Sequence, residues 1–158
     1  MPEETKNLEQ MLPLLQTLLA EGKTVSFRPN GVSMRPMLED GRDTVFLRAV
    51  PETLRKNDVV LYRRKNGQFV LHRLVRIRNG QYIFYGDAQF APEVVEKEQM
   101  LALVCGFLRK GKRYETDAAV YRAYAFFLNA SRPLRHFLRR ASSWLKRRFR
   151  AGNGVRRD

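Results

Sequence analysis

The rhythm of apolar and polar positions changes twice along the chain. Leu8, Met11, Leu12, Leu15, Leu18 and Leu19 recur at three- and four-residue spacings. This predicts a short helix over 7–21 with one apolar stripe, stopped at Gly22. From residue 24 the period falls to that of strands. Runs at 24–27, 43–50, 58–63, 68–77, 81–85 and 99–108 are rich in Val, Ile, Leu, Phe and Tyr. Asn66-Gly67 and Asn79-Gly80 are hairpin turns, and Gly111 marks another after the last run. Short strands separated by turn signals predict a mainly β, α+β fold built on an antiparallel domain.

From about Ala118 the helical period returns. Tyr121, Tyr124 and Leu128 share a face, and the run breaks near Ser131-Arg132-Pro133. A second helix is expected to follow, with Pro133 in its first turn. Leu134, Phe137, Leu138, Ala141, Leu145 and Phe149 lie on one side, and Arg135, Arg139, Arg140, Lys146, Arg147 and Arg150 on the others. The predicted organisation is an N-terminal helix (1–23), a β domain (24–117), a basic amphipathic helical tail (118–150) and a frayed end (151–158).

Charge sharpens that division. The formal net charge is +14. Residues 1–108 hold 15 Lys/Arg and 13 Asp/Glu, a balance of +2, whereas residues 109–158 hold 15 and 3, a balance of +12. The body is nearly neutral and the tail is a cation, so an anionic partner is expected for the tail. Interfacial aromatics (Phe137, Trp144, Phe149) among the cations favour an anionic membrane surface. The bland alternative is a helix docked on its own β domain. Nucleic acid is not the expected partner, because no helix-turn-helix or zinc pattern accompanies the charge. His136, within this tail, reads as solvated or interfacial. The single cysteine, Cys105, sits in an apolar run and reads as a small core residue. No stretch approaches the ~20 apolar residues of a membrane span, and the acidic start is unlike a secretory signal. A cytoplasmic chain held on the inner membrane face is therefore expected.

The chemistry concentrates in a few boxes. Gly31-Val32-Ser33-Met34-Arg35-Pro36-Met37-Leu38 is followed by Leu38-Glu39-Asp40-Gly41-Arg42-Asp43-Thr44-Val45, then Lys56-Asn57-Asp58-Val59-Val60-Leu61-Tyr62, Val70-Leu71-His72-Arg73-Leu74-Val75 and Tyr85-Gly86-Asp87-Ala88-Gln89. In this order they resemble the conserved regions of type I signal peptidases and the self-cleaving SOS-response repressors, over roughly residues 24–108. The Ser-Met-x-Pro box of that superfamily carries the nucleophile, here Ser33. Its base is Lys or His, and His72 stands at the matching position. This likens the chain to the archaeal and endoplasmic-reticulum branch or a bacterial relative. The resemblance implies a signal-peptidase-like β domain, a peptidase without metal or organic cofactor, a polypeptide substrate and a preference for small residues beside the cut.

The residue chemistry agrees. A serine hydroxyl is a poor nucleophile until a base takes its proton, and histidine can take and return one near neutral pH. A third group commonly orients the imidazole. Asp87 matches the family's acid and is the first choice, with Asp58 and Asp43 as alternatives. Gly31, Val32, Met34 and Pro36 shape the nucleophile loop, whose Ser33 N–H is a candidate oxyanion donor. Three departures from the family pattern stand out: Gly31 where many members place a second serine, Arg42 inserted before Asp43, and Asn57 for a glycine. The Arg63-Arg64-Lys65 run reads as a solvated corner. Two rivals to a serine endopeptidase remain: a catalytically inactive peptide- or membrane-binding module of the same fold, and a self-cleaving regulator, for which the acidic N-terminal stretch offers no evident site.

Overall fold

The computed structural model describes residues 3–135. Helix α1 (Glu3–Ala20) leads into β1 (Val25–Phe27) and β2 (Thr44–Arg48). There follow β3 (Val59–Arg63), β4 (Phe69–Arg78), β5 (Gln81–Tyr85) and β6 (Glu93–Val95). A 3-10 turn at Lys97–Gln99 enters β7 (Met100–Arg109), then β8 (Lys112–Glu115) and helix α2 (Ala119–Ala130). The chain is helical again at 132–135. The strands form one antiparallel sheet in the order β1-β2-β7-β3-β4-β5-β6, with β8 paired to β7. The two Asn-Gly turns flank β4 as expected. The strands missing from the sequence reading are β6 and β8, each too short to show an alternation.

Side chains alternate across the strands, and this splits the core in two. Val59, Leu61, Leu71, Val104 and Phe107 face a cluster with Leu15 and Leu19 of α1, Met34, Met37 and Leu38 of the loop between β1 and β2, and Tyr121 and Ala125 of α2. Val60, Tyr62, Leu74, Phe84 and Leu103 form the second cluster. On β4, His72 and Leu74 therefore point one way, and Leu71 and Arg73 the other.

Of the stripe that the spacing predicts on α1, Leu15 and Leu19 are buried and Leu8 and Leu12 pack against the core, whereas Met11 is exposed; α2 buries Tyr121, Ala125 and Leu128. So the first part of the basic tail docks on the β domain. Val120, Phe126, Phe127 and Leu134 stay exposed. The remainder of the tail, including His136, Phe137, Trp144, Phe149 and the expected frayed end, lies outside the described residues. Cys105 is half-buried, and its thiol donates to the Phe46 carbonyl at 3.4 Å. Among the described residues no helix is long and apolar enough to cross a membrane.

Candidate active site

Ser33 lies in the loop between β1 and β2. Gly31 adopts φ +98, a left-handed conformation that glycine takes without strain, and its N–H donates to Asp40 Oδ1 at 2.9 Å. The Arg35–Pro36 peptide is cis. Met34, Met37 and Leu38 are buried and anchor the loop in the core, while Val32 is exposed and Ser33 half-buried between them. The Ser33 carbonyl accepts from the Ala88 N–H at 2.8 Å. That bond ties the Ser33 loop to the turn after β5.

His72 comes from the middle of β4 and is only 1% exposed. The contact between it and the Ser33 loop passes through Gly86. A Cβ on Gly86 would stand 2.8 Å from the Ser33 carbonyl oxygen and 3.1 Å from His72 Nε2. Only a glycine fits there, and its presence lets the two segments approach. Nε2 itself is buried and makes no hydrogen bond.

The other ring nitrogen, Nδ1, lies 2.9 Å from the Tyr62 hydroxyl. Tyr62 sits one diagonal step away on β3, since Val60 pairs with His72 and Tyr62 with Val70. The hydroxyl also lies 3.0 Å from Glu93 Oε2, and Glu93 Oε1 is 3.4 Å from Nδ1. Arg64 pairs with Glu93 through two hydrogen bonds, one of them 2.8 Å from Nε to Oε2.

The proton assignment follows from this chain of contacts. Arg64 holds the Glu93 carboxyl below its ordinary range, so it is an ionised acceptor. Burial raises the Tyr62 hydroxyl far above its usual value, so it keeps its proton and donates it to Glu93. The Tyr62 oxygen then accepts from Nδ1–H, leaving the lone pair of His72 on Nε2. Burial above all, with smaller contributions from Arg64 and Arg132, lowers the His72 pKa to about 4 against the opposing charges of Glu93 and Asp87. At neutral pH the imidazole is uncharged with its basic nitrogen toward the Ser33 loop.

Asp87 is not the group that holds the imidazole. Both its oxygens accept from Arg73, at 2.8 and 2.7 Å. Arg73 and Asp87 are fully buried, and Arg73 also donates to the Asn57 carbonyl and the Tyr121 hydroxyl. The reason is the alternation of β4: Arg73 points opposite to His72, and a buried guanidinium needs a carboxylate beside it. Asp58 accepts from the Arg55 N–H at 2.8 Å and closes the turn before β3. Asp43 is buried, accepting from the Glu39 N–H and from Arg42, whose hydrogen bonds lower its pKa. The inserted Arg42 is thus the partner of a buried acid. Asn57 has φ +80, a left-handed conformation that asparagine tolerates better than most residues. This accounts for its standing where the family has glycine.

Sequence reasoning missed Glu93 and Arg64. Arg64 was expected in a solvated corner, yet it grips Glu93 beside the imidazole. Tyr62 was visible only as a strand residue.

A groove of about 180 Å³ opens at Ser33. It is walled by Phe27, Gly31, Met34, Leu61, Phe69 and Leu71 among others. Among the described residues no cluster of three or more His, Cys, Asp and Glu is placed to hold a metal ion.

No curated protein matches the chain. The family model described as Peptidase S24-like matches residues 2–106, a span that contains α1, the Ser33 loop, β4 with His72, and the Gly86–Asp87 turn. On that match over more than half its length, the chain belongs to the Peptidase S24-like family, in the superfamily that also contains the signal peptidases.

Proposed function

We propose that the chain is a serine endopeptidase of the signal-peptidase type, with Ser33 as nucleophile and His72 as general base. The observation that carries this reading is the buried, unpartnered Nε2 of His72 beside the Ser33 loop, with Nδ1 held by Tyr62 and Glu93. An extended polypeptide lies in the groove at Ser33. Nε2 takes the hydroxyl proton as Oγ attacks the scissile carbonyl carbon, and the Ser33 N–H faces the developing oxyanion. The intermediate collapses, the C–N bond breaks, and Nε2–H protonates the departing amine. A water then gives its proton to Nε2 and hydrolyses the acyl-enzyme, restoring Ser33. The Tyr62–Glu93 pair takes the orienting part expected of Asp87, and the transient imidazolium is stabilised by the Glu93 charge.

One observation favours a second reading, a binding module that keeps the fold without catalysis. Nε2 makes no hydrogen bond in the free chain, to Ser33 or to any other group. Catalytic hydrogen bonds often tighten only when substrate binds, so the peptidase reading stands first. Comparing newly exposed protein N-termini in cells carrying the wild type, Ser33→Ala or His72→Ala decides between them. A set of termini present with wild type and reduced on the order of 10³-fold in both variants identifies a Ser-His endopeptidase and names its substrates. Identical sets in all three leave the binding module.

We infer further that the cationic C-terminal part docks on an anionic membrane surface. Exposed Val120, Phe126, Phe127 and Leu134 together with the +12 balance of residues 109–158 support it. The protein is then expected to bind vesicles containing phosphatidylserine at low salt and leave them at high salt. Failure to bind at low salt removes the idea.

A further inference from the structure

We propose that Arg132 and Arg135, both beyond the family-matched residues, are positioning residues of the active site that hold the 86–89 turn against Ser33 and His72. The inference rests on the Ser33–His72 reading above. It concerns how the chain's own C-terminal segment completes that site.

The 86–89 turn has one N–H committed to the nucleophile loop, from Ala88 to the Ser33 carbonyl. Gly86 packs against both that carbonyl and His72 Nε2, so closely that a Cβ there would touch each. Whatever fixes the turn therefore fixes the spacing of nucleophile and base. Its carbonyls point to the helical segment. Arg132 Nη1 donates to the Gln89 carbonyl at 2.8 Å and the Gly86 carbonyl at 3.3 Å. Arg135 Nη1 donates to the Asp87 carbonyl at 3.1 Å. Each guanidinium also reaches back to the end of α2: Arg132 to Asn129 Oδ1 at 3.3 Å, and Arg135 to the Leu128 carbonyl at 2.6 Å. Arg132 further stacks on the Tyr85 ring, 4.4 Å from its centroid. The two arginines thus bridge the docked helix and three of the four carbonyls of the turn.

The arrangement is held at a cost. The Nε atoms of Arg132 and Arg135 are both buried without a partner, and unsatisfied buried donors are rare in folded chains. A guanidinium fork suits this task because its donors lie in one rigid plane and can engage neighbouring carbonyls together. Lysine offers the charge but not the fork.

Arg132 also acts on His72 through space. The charged and titratable groups facing the imidazole are Tyr62 from β3, Arg64 just after that strand, Glu93 from β6, Asp87 from the turn and Arg132 from the C-terminal segment. Burial is the main reason the imidazole stays neutral, and Arg132, like Arg64, adds to it.

The test uses the full chain with Arg132→Ala, Arg132→Lys and Arg135→Ala, beside Ser33→Ala. The chain has two histidines, so the His72 titration is resolved by NMR, and hydrogen exchange of the Ala88 amide reads the turn directly. The expected result for Arg132→Ala is faster Ala88 exchange, a higher His72 pKa and a roughly tenfold lower kcat at unchanged KM. Arg135→Ala is expected to speed the exchange and lower kcat with a smaller effect on His72. Arg132→Lys is expected to restore the His72 pKa and leave the exchange fast, which separates charge from fork. Unchanged Ala88 exchange and an unchanged His72 titration in both alanine variants overturn the proposal, whatever the activity. Full cleavage by Ser33→Ala overturns the dyad reading instead, and the exchange data still judge the arginines.

Discussion

At the scale of the residue, two acids and one tyrosine divide the work around His72 differently from what their places in the sequence imply. Asp87 neutralises Arg73, and removing one member of a buried ion pair costs about 3–5 kcal/mol. Asp87→Ala is therefore expected to lose stability by that amount, read as a shift in the urea midpoint, with activity falling only as the fold does. Tyr62→Phe keeps the ring packed against Phe84, whose centroid is 5.3 Å away, and removes the acceptor of Nδ1–H. The fold is expected to survive with a loss of roughly 1–2 kcal/mol, while kcat drops about tenfold or more because the imidazole loses its preferred tautomer. Wild-type kinetics in Tyr62→Phe, or a stable and inactive Asp87→Ala, reverses the two assignments. Gly86 stands beside this set. Its missing side chain is what allows backbone and imidazole to meet, and no other residue can stand there without moving the Ser33 carbonyl.

At the scale of the element, much was legible and the remainder was hidden for a physical reason. The Asn-Gly turns fixed both ends of β4, and the box order placed Ser33 and His72 on segments that the fold does bring to one glycine. The identity of the orienting group was not legible, because it depends on register between strands distant in sequence. Glu93 reaches the imidazole because three-residue β6 pairs with β5, a pairing no local pattern announces. The pairing of Asp87 with Arg73 was in principle readable: a charged residue next to His72 on a strand faces the other way, and once buried it needs an acid there. Helix α2 shows the same mixture. Its buried Tyr121 and Leu128 were placed on one face by spacing, and the exposed Phe126 and Phe127 were not singled out. These two are expected to matter outside the fold. Phe126→Asp with Phe127→Asp should change stability by no more than about 0.5 kcal/mol, as exposed substitutions do. The same pair should weaken binding to anionic vesicles severalfold. A double variant that binds as wild type leaves the membrane contact to other residues.

At the scale of the whole molecule, the site's electrostatics set a pH dependence with a definite sign. The folded His72 has its pKa lowered to about 4 by burial, against about 6.5 for a free imidazole. Between those values the unfolded chain binds the extra proton and the folded chain does not. Stability is therefore greatest above about pH 6.5 and falls as pH drops toward 4, by up to roughly 3 kcal/mol from this residue. Glu93, held low by Arg64, and Asp43, held low by Arg42, act in the same direction at the acid end. Asp58 has its pKa raised by burial and opposes them. Replacing His72 by Gln should flatten the stability curve between pH 6.5 and 4 while leaving the slope below 4, as urea midpoints across that range would read. If His72 is the proposed base, the acid limb of kcat/KM is expected near pH 4 and not near 6.5. The base then stays deprotonated well below neutral pH, so activity is expected to hold through mild acidity. An acid limb at 6.5 with an unaltered fold would mean that Nε2 is open to water in solution. The burial of His72, and with it the place proposed for the turn and the arginine clasp, would then not describe the protein in solution.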